Sequence, residues 1–352
     1  MKLLAIGLCS LAAIAAAVTP AAAQRKVTLA VGSTVIDVSQ AHNVSVPLAT
    51  KCWEKEGLAV EIQPTNTGAA IQALVTGKVE FVLSGPAVAV IARSKGGPIR
   101  SVYMGATRNY NFLVVPEASP IKSIADFKGK TVGVFSYGAQ LYRLFKGMMA
   151  ESGLDPEKDV NWIETGAGAQ AVAALTSGRV DAWGTWDSQI ATAENMGLKF
   201  RRFTSPAVEK LDWGSSIFAN DAFIAAEPAV VGKLVRCVAE GSVYTAANPE
   251  AAVRAHWKIF PETKPASLSD AEALRQALHI VTTRLQFIMP KPGIKWGEMP
   301  AGSAAATAAF MRETGELKAD VQPNDLFTNA FVAATNDFDV ATVQAAAKAA
   351  TQ

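Results

Sequence analysis

One segment of this chain is written twice. Ala70-Ile71-Gln72-Ala73-Leu74-Val75-Thr76-Gly77-Lys78-Val79-Glu80-Phe81 recurs, at a constant offset of 101 residues, as Ala171-Val172-Ala173-Ala174-Leu175-Thr176-Ser177-Gly178-Arg179-Val180-Asp181-Ala182. In each copy an apolar pair at i and i+3 precedes a glycine that closes a helix, and a basic residue, a valine and an acid then lead into an apolar strand. A folding unit present in duplicate predicts two similar α/β lobes, with a cleft between them that suits a small solute.

The flanking sequence extends this unit. Val27–Val31 reads as a strand broken by Gly32-Ser33-Thr34, and a helix is expected from about Pro47 to Glu56, with Ser45 as cap and Gly57 as terminator. Strands follow at Leu58–Ile62 and Val79–Leu83. The order then repeats: Lys130-Thr131-Val132-Gly133-Val134-Phe135 parallels Lys26–Val31, and Leu141, Leu144, Phe145, Met148 and Met149 line one face of a helix. Strands at Asn161–Glu164 and Val180–Gly184 complete the second unit, with Trp183 inside the last strand as a core residue. Alternation of this kind predicts a mostly parallel sheet in each lobe, covered by helices on both faces. Two extended segments outside the repeats, Phe112–Val115 and Ser216–Ala219, are expected to lie side by side as a two-stranded hinge. Lobe 1 would then comprise 24–112 and 216–352, lobe 2 would be the inserted 113–215, and the alanine-rich helices after 220 would wrap lobe 1.

Lys2, the apolar run Leu3–Val18 and Ala21-Ala22-Ala23 match a secretory signal peptide over 1–23, cleaved after Ala23. Its removal leaves 329 residues, more than one hydrophobic core usually supports, with 32 basic and 31 acidic side chains and no nucleic-acid footprint. Cys52 and Cys237 survive export and permit one disulfide in an oxidising compartment, the alternative being two separate buried thiols. With no CxxC, no HExxH and only His42, His256 and His279, widely spaced, neither a metal nor a cofactor is expected. No GxSxG, paired-carboxylate or cysteine–histidine pattern points to catalysis, and no GxxxxGK[ST] points to an ATPase.

The doubled Ala-Leu-x-x-Gly-(Lys/Arg)-Val-(Glu/Asp), together with Phe127-Lys128-Gly129-Lys130-Thr131-Val132-Gly133-Val134, Ser152–Val160 and Val180-Asp181-Ala182-Trp183, resembles the periplasmic substrate-binding proteins of ABC importers, in the nitrate, sulfonate, taurine and thiamine-precursor group. The resemblance covers nearly all of the mature chain. It implies a type II binding-protein fold and a periplasmic, monomeric receptor that captures a small organic solute, anionic or planar, and delivers it to an ABC permease served by a separate ATPase. The alternative it brings is an enzyme of the same fold acting on a pyrimidine or thiamine precursor, although the cysteine-rich iron site of that enzyme has no counterpart here.

In open parallel sheets ligands bind beyond the carboxyl ends of the strands, at helix N-termini. That topology selects Thr34, Ile36, Asp37, Asn66, Thr67, Ser84 and Gly85 in lobe 1, and Ser136, Tyr137, Gly138, Ala139, Gln140, Thr165, Gly166, Trp186 and Asp187 in lobe 2. The resembling family places its ligand contacts in these same loops. Ser136-Tyr137-Gly138-Ala139 would admit a ligand oxygen to the backbone, with an ordinary N-cap as the alternative. Trp186 and Tyr137 would stack on a planar solute, with Tyr110 as a third aromatic wall. Asp187 would serve as a cap or pair with a cationic ligand group. His42 has a solvated or hydrogen-bonded structural role as its alternative to ligand contact. Arg108 and Arg143 are the cations nearest the expected cleft, and either one pointing inward would imply a carboxylate or sulfonate.

Overall fold

The structure is a computed structural model that describes residues 23–34 and 36–350. Residues 1–22 of the signal-peptide reading lie outside the described residues. The first sheet contains β1 (Arg25–Val31), β2 (Leu58–Pro64), β3 (Phe81–Ser84), β4 (Ile99–Ala106) and the late strand β10 (Ser215–Asn220), in the order β2-β1-β3-β10-β4. The second contains β5 (Asn111–Pro116), β6 (Thr131–Val134), β7 (Asn161–Glu164), β8 (Ala182–Trp186) and β9 (Phe200–Phe203), in the order β7-β6-β8-β5-β9. Both follow one plan: three parallel strands, then an antiparallel strand leading to an edge strand.

The repeated motif does the same work in each lobe. Gly77 and Gly178 take φ of +70° and +73°, the left-handed conformation that ends a helix at little cost only for glycine. The acid that follows reaches sideways: Glu80 Oε2 accepts the Thr28 N–H at 2.8 Å, and Asp181 Oδ2 accepts the Thr131 N–H at 2.8 Å. Each carboxylate thus satisfies a backbone donor in or beside the central strand of its sheet. Thr28 therefore corresponds to Thr131, so the two lobes align one residue away from the match of Lys26 with Lys130. Because these acids face along the loop, β3 and β8 begin at Phe81 and Ala182, two residues later than Val79 and Val180. Trp183 is buried against Val114, Ile190 and Leu175.

Phe112–Val115 and Ser216–Ala219 do not pair with each other. Hydrophobic burial assigns each to the middle of its own sheet, β5 between β8 and β9 and β10 between β3 and β4. The two chain crossings are instead the segments 107–110 and 204–214, which leave together where Gly214 N–H bonds Ala106 O at 2.9 Å and arrive together where Leu113 pairs with Phe203.

The expected Pro47–Glu56 helix is also redistributed. A 3-10 turn at Val38–Gln40, a π turn at Ala41–Ser45 and an α turn at Val46–Ala49 run on without interruption, Lys51 then turns left-handed at φ 57°, and Cys52–Lys55 forms a separate turn. Ser45 is inside the helical run and bonds the His256 Nδ1 at 2.7 Å rather than capping. Gly57, at φ +79°, closes the segment as its sequence suggests.

The C-terminal region touches both lobes, not lobe 1 alone. The helix Pro228–Ala247 packs on lobe 1, where Cys237 is joined to Cys52 by a disulfide and Trp53 Nε1 donates to Leu234 O at 3.1 Å. The helix Asp270–Ile288 lies against the helix Asp187–Asn195 of lobe 2. Ser303–Glu313 meets the lobe 2 helix Gln140–Glu151, and the carboxylate of Glu316 receives Arg143 and Lys146, each at 3.0 Å.

Two histidines are enclosed in this packing. His42 Nδ1 lies 2.9 Å from Ser39 O, and burial, reinforced by the Arg284 charge, pulls its pKa down to about 3. Burial likewise pulls His256 down to about 4. Both fold as neutral imidazoles, whereas in the unfolded chain they titrate near 6.5. Their contribution is present above pH 6.5 and is lost as pH falls towards the folded values, by up to about 1.4 kcal/mol per unit for each. Unfolding free energy is therefore expected to be about 3–4 kcal/mol lower at pH 5 than at pH 7. Denaturant titrations at the two pH values check this, and a His42→Gln/His256→Gln variant should show a flatter dependence.

Candidate functional site

The sheets face each other through the ends of their central strands. Val31 ends β1, Leu83 and Ser84 end β3, Val134 ends β6 and Trp186 ends β8, while the antiparallel strands enter at Asn111 and Ser215. The helices that begin at Thr67, Pro86, Gln140 and Asp187 start from the same loops. Between these ends lies a cavity of about 110 Å³. A cavity of about 150 Å³ holds one benzene ring, so the available space is of single-ring size.

One wall of the cavity is apolar. Phe135 and Trp186 meet edge to face, with ring centroids 5.7 Å apart, beside Ala139, Leu141, Val31 and Leu83. Trp186 is oriented by its Nε1, which donates to Ser188 Oγ at 2.9 Å. The polar lining comprises Asp37, Ser39, Gln40 and Asn43 from the 3-10 and π turns, with Thr67, Ser84, Asn111 and Ser215. π turns recur at functional sites because the extra residue re-aims its neighbours. Here Gln40 Oε1 and Asn43 Oδ1 are buried without a hydrogen-bond partner. A buried polar atom left unpaired costs about 1–3 kcal/mol, which would be recovered if either amide turned to meet a solute in the cavity.

Asp37 ties the lobes together at one end. Its Oδ1 accepts the Ser39 N–H at 2.8 Å, and its Oδ2 accepts from Ser188 Oγ of lobe 2 at 2.9 Å and from Gln189 Nε2 at 3.5 Å. Beneath the cavity Arg284 grips Asp187 with two parallel hydrogen bonds, Nε to Oδ2 at 2.8 Å and Nη2 to Oδ1. The guanidinium lies 4.4 Å from the centre of the Tyr110 ring, and the Asp187 N–H donates to Tyr110 O at 2.9 Å. Burial opposes the Arg284 charge, yet the carboxylate outweighs it and lifts the guanidinium above its usual value.

Of the residues selected from sequence, Asp37, Thr67, Ser84, Gly85, Tyr110, Ala139 and Trp186 line the cavity. Asn66 and Ser136 meet at its edge, where Asn66 Nδ2 donates to Ser136 Oγ at 3.0 Å across the lobes, and Gly138 sits against Asn66. This contact occupies Ser136, the expected ligand hydroxyl. Gln140 begins a helix in the same loop. Six residues do not reach the cavity. Tyr137 is 44 % exposed and turns outward, its hydroxyl donating to Trp162 O at 2.9 Å and its ring packing on Tyr142. Its place is taken by Phe135, the first residue past β6. Thr34 is exposed, Ile36 packs on the lobe 1 core, and Thr165 and Gly166 lie past β7 at the edge of their sheet. Asp187 is sealed under the cavity by Arg284 rather than left as a free cap.

The cation at this site is neither of those expected. Arg108 Nη1 donates to Gln286 O at 2.6 Å and Arg143 pairs with Glu316. Arg284 was missed although a signal exists: it falls on the buried stripe Ala273, Ala277, Val281, Ile288 of its helix, where a solvated cation does not belong. His42 faces Ser39 and is buried, the hydrogen-bonded alternative without the solvent.

Two matched α/β lobes, with parallel strands ending face to face over a polar and aromatic cavity, define the two-lobed binding-protein class. Within it, the chain belongs to the NMT1/THI5 like family, whose model matches residues 52–252. The riboflavin-binding protein RibY of Chloroflexus aurantiacus is 27% identical over 260 residues, 73% of this chain and 71% of that one. A solved structure from Bordetella bronchiseptica superimposes with a TM-score of 0.71 at 21% identity, over 89% of this chain and 98% of that one. The periplasmic aliphatic sulphonate binding protein SsuA of Escherichia coli does so with a TM-score of 0.63 at 19% identity, over 86% and 91%. These likenesses establish the two-lobed fold.

Proposed function

We propose that this chain is an extracytoplasmic receptor: it captures a small organic solute between its lobes and delivers it to an ABC permease that a separate ATPase drives. The observation that carries the reading is the inter-lobe cavity, lined by Phe135 and Trp186 together with Asp37, Gln40 and Asn43, with the amide oxygens of the last two buried without partners. A solute there would touch both lobes, and only differential affinity for the closed form can drive closure. Family membership and the names of the relatives, which are those of binding proteins, support the same role. Export through residues 1–23, a periplasmic location, a monomeric state and the division into 24–112 plus 216–352 and 113–215 belong to the proposal.

A pyrimidine-directed enzyme is the competing reading. The Ser45–His256 hydrogen bond, 2.7 Å long, is the pairing most like a catalytic one, but both residues are wholly buried and neither lines the cavity. That geometry favours a receptor.

Thermal unfolding of the mature protein with sulfonates, aromatic carboxylates, pyrimidines, flavins and nitrate tests the proposal. A solute at 100 times its Kd should stabilise the fold by about 2.7 kcal/mol. Trp186→Ala should weaken that solute by about 1–2 kcal/mol, roughly 5- to 30-fold, when measured by titration calorimetry. Turnover of a compound without stabilisation by any of them would favour the enzyme.

A further inference from the structure

The charged groups around the cavity have a definite sum. Asp37 and Arg284 are the ionised side chains that line it. Arg284 is paired with Asp187 through the Nε–Nη2 edge of its guanidinium and stands 4.4 Å from the centre of the Tyr110 ring. Asp187, Arg284 and Asp37 together carry one net negative charge, and His42 behind them is buried and neutral. The helix starts at Thr67, Pro86 and Gln140 would each attract an anion, but Asp37, bonded to Ser188 and Gln189 in the first turn of the helix Asp187–Asn195, already brings a carboxylate to the same cavity. An ionised carboxylate accepts about four hydrogen bonds, and Asp37 receives three, from Ser39, Ser188 and Gln189, which leaves an acceptor site for a ligand donor.

We propose that Asp37 is the charge filter of this cleft: it excludes oxyanions and selects a single-ring-sized solute that is uncharged or cationic and presents an N–H group. This rests on the cleft reading above. The selectivity is strongest in the closed form, because Ser188 and Gln189 hold Asp37 from the opposite lobe and remove it from bulk water. A sulfonate, carboxylate or nitrate ion would meet the Asp37 carboxylate there, while the positive charge of Arg284 is already matched by Asp187.

Three probes of matched size separate charge from shape: benzenesulfonate, benzamide and benzamidinium, titrated by calorimetry into the mature protein. In the unmodified protein benzamide and benzamidinium should each bind at least tenfold tighter than benzenesulfonate. Asp37→Asn should raise benzenesulfonate affinity and lower benzamidinium affinity, each about tenfold or more, so that the ratio of the two moves by about a hundredfold. Asp37→Ser, which removes the charge with a smaller side chain, should give the same reversal and stands in should the first variant not fold. Benzenesulfonate as the tightest probe, or a ratio of affinities unchanged by both substitutions, would overturn the filter and leave the receptor intact. No binding of any probe up to 10 mM would overturn the single-ring cleft and the filter with it, whereas stabilisation by another solute in the thermal screen would still uphold the receptor.

Discussion

Asp187→Ala is expected to lower the thermal unfolding midpoint by about 4–7 °C. The substitution leaves the Arg284 guanidinium, held above Tyr110 and nearly out of contact with water, without its carboxylate. Breaking a buried pair from one side typically costs about 3–5 kcal/mol, because the surviving charge is desolvated and uncompensated. At this chain length an unfolding entropy of about 2.1 cal/mol/K per residue makes each kcal/mol worth about 1.5 °C. The cost lies with the orphaned charge and not with the lost attraction, so Asp187→Ala/Arg284→Met should recover most of it. Calorimetric scans of the single and double variants measure the coupling. A double variant as unstable as the single one would mean that Asp187 acts through packing alone. The pair also fastens the helix Asp270–Ile288 to lobe 2, together with Asn195 Nδ2 donating to Gln276 O at 3.0 Å. Its loss should therefore raise proteolytic sensitivity in the 270–290 region first.

Reduction of the Cys52–Cys237 bond is expected to cost about 2–5 kcal/mol. The two cysteines lie 185 residues apart in sequence. Closing so long a loop removes conformational freedom from the unfolded chain worth about 5 kcal/mol on the chain-entropy account, which sets the upper limit. The bond joins the short turn Cys52–Lys55 to the helix Pro228–Ala247 inside the lobe 1 core, and so connects segments from the two ends of the chain. Unfolding with and without a reductant, beside a Cys52→Ala/Cys237→Ala variant, should give the same loss by both routes. A midpoint unchanged by reductant would show that the thiols contribute only as buried apolar groups.

The parts of this fold that could be read from sequence are those whose physics is local. A glycine that must turn left-handed, an amphipathic helix and a short apolar strand leave their signals within a dozen residues, so the doubled unit predicts both sheets. Strand ends were less legible, because Glu80 and Asp181 look like strand residues until their carboxylates are seen reaching Thr28 and Thr131. Near the site the same distinction holds. The loops were found from topology, but whether Phe135 or Tyr137 turns inward depends on where β6 stops. Arg284 lies 97 residues from Asp187, and nothing local joins them. The 3-10 and π turns carrying Gln40 and Asn43 lack the period of a regular helix, and no sequence rule aimed their amides at the cavity.

A crystal structure of the mature protein with the solute that stabilises it most tests the central claim most directly. The account predicts density for that solute between the Phe135 and Trp186 rings and the amides of Gln40 and Asn43, with both lobes in contact with it. Density for it elsewhere on the molecule, beside a cavity that contains only water, would contradict the account.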